Sequence, residues 1–204
     1  MPTRMKGDQR RAAIVAEAIR LFAEKGFRGA TTRELAAALG VTEPVLYQHF
    51  KTKQELYTAI IETKAREGME KTGDLQRYLK GDNDRAFFGA LAGLILDHYE
   101  QDPAYSRLLL FSALERHELA ALFFERQVVE FFNVIAGYIR RRERAGAFRR
   151  VNPQLAARSF IGMVSYHGQL HLLFDENLRM PRKKLVEQVV TVFLEGLSGQ
   201  GCMA

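Results

Sequence analysis

The sequence predicts an all-α protein, with a three-helix N-terminal head carrying a helix-turn-helix and a larger helical body, about nine helices in all. Three observations carry this. Thr31 to Lys53 holds three helix starts and one glycine turn within 23 residues. Apolar residues recur at helical spacing from Arg10 onward, and after Phe87 no alternation bounded by turns marks a strand. Composition also shifts along the chain. Phe22, Phe27 and Phe50 are the only phenylalanines of the first fifty residues, and the other eleven start at Phe87.

Taken in order, residues 1–9 read as a basic arm. Ile14, Ala18, Leu21 and Phe22 make one helical face between Arg10 and Lys25, and Gly26 ends that helix. Thr31 stands three residues before Glu34, the spacing at which a hydroxyl and a carboxylate satisfy each other's backbone amides. This second helix carries Leu35, Ala36 and Leu39 and stops at Gly40, which tolerates a left-handed backbone. Thr42 is an N-cap, with Pro44 inside the first turn, where its missing N–H does no harm. The third helix ends near Phe50, and Thr52 with Glu55 repeats the capping spacing at once. Two short helices joined by a glycine turn form a helix-turn-helix, whose second helix lies in the major groove of DNA. Leu46 and Phe50, four apart, turn it inward, so Tyr47, Gln48 and His49 face outward.

The fourth helix continues through Leu56, Tyr57, Ile60 and Ile61 toward Met69. Residues 72–84 read as a polar loop around a short helical piece. Asn83 or Asp84 caps a helix with Phe87, Phe88, Leu91, Leu94, Ile95 and Tyr99. Asp102-Pro103 starts one with Leu108, Leu109 and Phe111. A long helix is expected from His117 to Ala145, ended by Gly146. Its closing Arg140, Arg141, Arg142 and Arg144 suit a negative helix end and read as solvated, with DNA contact the minor alternative. Asn152-Pro153 and Pro181 open the last two helices.

The net charge is +6, and residues 1–54 hold ten Lys and Arg against five acids, which places +5 on the first quarter. That asymmetry points to a polyanionic partner for the head. Cys202 is the only cysteine, so no internal disulfide can form, which fits a reducing cytoplasm. No apolar stretch follows the basic start as in a signal peptide, and no uncharged run suggests a membrane span.

Gly26-Phe27, Thr31-Thr32, Leu35-Ala36, Leu39-Gly40-Val41, Leu46-Tyr47, His49-Phe50, Lys53 and Leu56 resemble the N-terminal domain of TetR-type (TetR/AcrR) transcriptional regulators. The resemblance is specific over about Arg10 to Ile61. It implies a DNA-binding domain over 1–55 and a ligand-binding and dimerisation domain over 56–204. It also implies a homodimer on a palindromic operator in double-stranded DNA, most often a repressor released by a small apolar or amphipathic effector. Positions matching Thr32, Thr42, Tyr47, His49 and Lys53 commonly meet the DNA backbone in such proteins. Those matching Arg33, Glu43, Pro44, Val45 and Gln48 are placed toward bases, and Thr31 adjoins them.

Two of these carry competing readings. Glu43 either accepts from a cytosine amino group or only favours the positive helix N-terminus, and the second is preferred. Tyr47 either caps the small core or reaches a phosphate, and the two are compatible. Lys53, in a first turn where the dipole opposes it, either has a phosphate in front of it or is a solvated lysine, at a cost of only about a few tenths of a kcal/mol.

In the body, the eleven phenylalanines either fill a core or line an apolar pocket. The candidate lining is Phe88, Leu91, Tyr99, Phe111, Phe124, Met163, Tyr166 and His167. Small residues after Pro153, among them Ala157, Gly162, Ser165 and Gly168, suggest close approach by another helix. In TetR-type regulators the last two long helices pair with their copies. The resemblance therefore places these residues with Val189 and Phe193 in a dimer interface, against a rival reading of tight packing within the monomer. His167 and His171 share a helix face, but Gly168 stands where a metalloprotease carries glutamate. No catalytic, metal or cofactor site is expected, since no nucleophile, P-loop or dinucleotide signature occurs. An interaction protein that binds DNA and takes no small-molecule ligand is the alternative.

Overall fold

The computed structural model describes residues 7–71, 73–175 and 179–197. Arg4 and Lys6 of the basic arm, Cys202 and the tail from 198 onward lie outside the described residues. Among the described residues the regular structure is helical, with no strand. In chain order the helices are α1 (Gly7–Gly29), α2 (Thr32–Ala38), α3 (Glu43–His49), α4 (Lys53–Lys71), α5 (Gly73–Leu79), α6 (Asp84–Gln101), α7 (Pro103–Leu114), α8 (Glu118–Phe123), α9 (Val129–Arg144), α10 (Pro153–Phe174) and α11 (Arg182–Leu197). A π-helical turn, Phe124–Val128, joins α8 to α9. The single long helix expected from His117 to Ala145 therefore runs on with one turn wound to a wider pitch, which periodicity does not reveal.

The chain forms two compact units, and neither is one continuous segment. The first is Met1–Glu67 with Pro103–Arg126, and the second is Gly68–Asp102 with Gln127–Ala204. Packing thus does not follow a 55/56 division: α7 and α8 belong with the head, and α7 lies along α1. In this unit Ile14, Ala18, Phe22, Leu35, Leu46, Phe50, Ile60, Leu108 and Leu119 share one buried cluster. α1 breaks at Gly26, whose φ of 68° few L side chains adopt. A Cβ there would also collide with the Glu115 carboxylate. That carboxylate accepts from Phe27 N–H (3.2 Å), so a residue 88 positions away holds the helix break. Phe27 then stacks on the His117 ring at 3.9 Å, with Tyr57 edge-on at 4.6 Å.

The second unit is built on phenylalanine. Phe87, Phe88, Leu91, Ile135, Ile139 and Phe160 are fully buried. Phe87 stacks on Tyr138 at 3.8 Å, and Phe88 meets Phe160 and Phe193 at 4.8 and 4.9 Å. Burying one such ring contributes about 1.5–3 kcal/mol. Asn83 is the cap of α6, accepting from Ala86 N–H, which frees Asp84 for the Tyr138 hydroxyl and Arg142. Arg141 and Arg142 correct the reading of a solvated basic helix end. Arg142 forks onto Asp84 and reaches Asp82, and Arg141 donates to the Leu79 and Gly81 carbonyls. These arginines close the α5–α6 loop, while Arg140 and Arg144 are exposed.

Candidate nucleic-acid interface

Local chemistry sets α2 and α3. Thr31 accepts from Glu34 N–H (3.1 Å), and the Glu34 carboxylate accepts from Thr31 N–H (3.0 Å) and from Lys25 Nζ (2.7 Å). The lysine first, then the Thr31 amide and hydroxyl, hold the Glu34 carboxyl down at about 2. Val41 N–H returns to the Ala36 carbonyl across Gly40, whose φ is +64°, and this turns the chain into α3. Leu46 is the buried anchor of α3, and Phe50 closes it.

That anchoring leaves a polar rim. Tyr47 is 46% exposed, and Thr31, Arg33, Thr42, Pro44, Gln48 and Lys53 are also exposed. Thr32, Glu43, Val45 and His49 are half-buried. Two details depart from simple expectation. Thr42 occupies the N-cap position of α3, yet its side chain makes no cap hydrogen bond. The Thr32 hydroxyl donates to Glu43 Oε2 at 2.9 Å, joining the first turns of α2 and α3. Glu43 thus sits at the positive end of its helix, as preferred, but with a protein donor already on it.

Sequence reasoning missed Arg11. Its Nη1 donates to the His49 carbonyl (2.6 Å) at the end of α3, and its guanidinium lies 4.1 Å over the Phe50 ring. Glu55, 3.5 Å from the same nitrogen, accepts from Lys51 N–H, while Thr52 accepts from Glu55 N–H. Arg11 and Glu55 together fix where α3 stops and α4 starts. No local pattern marks a contact 38 residues apart; only the position of Arg11 at the start of α1 hints at it.

The remaining predicted sites scatter. Phe111 and Phe124 belong to the first unit and are partly exposed, whereas Phe88, Leu91, Tyr99, Met163, Tyr166 and His167 belong to the second. Phe88 and Leu91 are core. His167 lines an apolar cleft with Ala92, Leu96, Val164, Leu185, Val186 and Val189, and the cleft is too narrow for a water molecule. Ala157, Gly168, Val189 and Phe193, placed by the resemblance in a dimer interface, are buried inside the protomer. A Cβ on Gly168 would collide with the Tyr99 ring, so the close neighbour is a side chain of the same chain. Ser165 is half-buried, and Gly162 is exposed with open space above it. Among the described residues no group of three or more His, Cys, Asp and Glu could hold a metal ion, and no helix is long and apolar enough to cross a membrane.

Comparison with known proteins assigns this architecture. Residues 14–60 match the model of bacterial regulatory proteins of the tetR family, and residues 98–196 match that of the AefR-like transcriptional repressor C-terminal domain. Over 59 residues, 29% of this chain and 27% of the relative, the chain is 41% identical to the HTH-type transcriptional activator FasR of Mycolicibacterium smegmatis. Over 52 residues, 26% of this chain and 24% of the relative, it is 46% identical to the class C tetracycline repressor protein of Escherichia coli. The chain thus spans about a quarter of the length of these two curated relatives. The crystal structure of AibR in complex with isovaleryl coenzyme A and operator DNA superimposes with a TM-score of 0.65 at 24% identity, covering 93% of this chain and 98% of that one. The two matched segments together with the helical architecture identify the chain as a member of the TetR family of DNA-binding transcriptional regulators.

Proposed function

We propose that the protein is a homodimeric cytoplasmic repressor that sets α3 of each protomer into a major groove of a palindromic operator. Residues 1–55 contact the DNA, and residues 56–204 serve dimerisation and effector binding. The observation that carries this reading is the exposed Pro44–Tyr47–Gln48 face of α3, held over buried Leu46 on the part of the chain with most of the net charge. Tyr47, His49 and Lys53 are assigned to phosphates, and Arg33, Val45 and Gln48 to base edges.

A stripe along α10 supports dimerisation. Leu155, Gly162, Tyr166 and Leu173 are spaced seven, four and seven apart, which places them on one helix face. Leu155 is 64% and Tyr166 59% exposed, and Val192 of α11 is 62% exposed. Exposed apolar surface of this kind marks an interface. Gly162 is the one residue of the expected interface that lies on this stripe. Tyr166→Asp in sedimentation tests the assignment: the dimer should dissociate, and an unchanged dimer would refute it.

Effector binding is the less supported half. A ligand that used the apolar cleft beside His167 would have to open it, because as folded the cleft has no room for a water-sized molecule. Coupling of this kind shifts operator affinity by about 1–3 kcal/mol and acts in both directions. The segment 57–69, in which the chain passes from the first unit to the second, is the assigned lever. The second reading is a DNA-binding protein without effector. Native mass spectrometry separates the two. Bound small molecules, released together with operator affinity by their own extract, support the first; ligand-free protein with extract-insensitive binding supports the second.

A further inference from the structure

The recognition helix needs an anchor at its start, and the usual one is absent. Thr42 stands at the N-cap, but its side chain accepts no amide there, so its hydroxyl does not fix the first turn. The side-chain bond that does engage that turn runs from Thr32 Oγ1 to Glu43 Oε2, 2.9 Å, with both residues half-buried. At the far end Arg11 holds the His49 carbonyl. The helix is therefore clamped at both termini by charged side chains.

Resting on the DNA-binding reading above, we propose that Glu43 is a positioning residue and an electrostatic filter, not a base-reading one. Its carboxylate, occupied by the Thr32 hydroxyl, sets the register of α3 against α2. It also places a negative charge among groups that approach phosphates. A hydroxyl has one proton, so Thr32 cannot donate to Glu43 and to a phosphate at once. A carboxylate that accepts from Thr32 on Oε2 and favours the α3 N-terminus already has a structural role; Oε1 stays open, so readout of a cytosine amino group is the rival that the variants below test. The carboxylate's charge weakens binding to every sequence alike. Specificity then comes from the register it maintains for Arg33, Val45 and Gln48.

The test is a set of variants, Glu43→Gln, Thr32→Val and Glu43→Ala, titrated as the full-length dimer against its selected operator and against random duplex at several salt concentrations. Glu43→Gln keeps an acceptor for Thr32 and removes the charge. It should bind operator and random duplex tighter by the same factor, about two- to threefold for a unit charge some 8 Å from a phosphate, with base preference unchanged. Thr32→Val and Glu43→Ala break the bond and should lower the operator-to-random ratio at several base positions together. A Glu43→Gln protein that loses about tenfold or more of its preference at a single C·G pair, all others intact, would show direct readout and overturn the proposal. Preserved specificity in Thr32→Val would overturn it too. Failure of the wild-type protein to prefer any duplex would instead sink the DNA-binding reading on which the proposal stands, and that outcome appears before any variant is compared.

Discussion

At the scale of single residues, the proposed function separates groups in the head that would touch DNA from groups that would aim them. Tyr47 is exposed in the second half of α3 and Lys53 at the start of α4, so Tyr47→Ala and Lys53→Ala should weaken binding to all duplexes. Lys53→Ala should also reduce the salt slope by about one, whereas Gln48→Ala should relax preference at one base position. Arg11 belongs to the aiming class, since its donor goes to the His49 carbonyl. Arg11→Ala should lower operator affinity with an unchanged salt slope and destabilise the fold by about 1 kcal/mol, a value discounted because the side chain is partly solvated. A slope reduced by one would mean that Arg11 meets phosphate instead.

His117 makes a further residue-scale prediction. Burial against Phe27 and Tyr57 holds its imidazole below the usual histidine range, with Glu118 and Glu115 opposing and Lys53 assisting. Its Nδ1 accepts from Leu119 N–H (3.2 Å), so the folded state keeps that nitrogen unprotonated. The unfolded chain binds the proton more readily than the folded one. Stability should therefore be full above pH 6.5 and fall as the pH drops below it. His117→Gln should flatten that part of the stability–pH curve; an unaltered curve would contradict the assignment.

At the scale of elements, much was legible because the signals are local. Thr31 with Glu34, the Gly26 and Gly40 breaks, Asn152-Pro153 and the Leu46 anchor all act within a turn or two of chain, and each element they predict is present. What the sequence hid is long-range. Arg11 meets His49 across 38 residues, and Glu115 reaches Phe27 across 88. Arg141 and Arg142 look solvated until the α5–α6 loop closes on them. The small residues of α10 had two partners available, a second protomer or a side chain of the same chain, and spacing alone does not choose. At Gly168 the neighbour is Tyr99 of α6. Gly168→Ala should accordingly cost about 1–3 kcal/mol through overpacking, measured by denaturant unfolding, and Tyr99→Ala in the same chain should recover part of it. If Gly168→Ala is neutral, α10 and α6 are looser than this packing implies.

At the scale of the whole molecule, two compact units share one chain that passes between them more than once. Helices α7 and α8 pack with the head although they lie some fifty residues beyond it in sequence, and no head-like motif announces this. Of the eleven phenylalanines from Phe87 onward, Phe87, Phe88, Phe148, Phe160 and Phe193 are core, whereas Phe111, Phe124 and Phe174 are exposed. In the proposed function two copies of α3 read one duplex. Selection of bound sequences from random duplex DNA by the full-length protein tests it most directly. The expected result is an enriched inverted repeat whose half-sites lie about one helical turn apart, or a multiple of it. An enriched single half-site without its mirror image, or no enrichment at all, would contradict it.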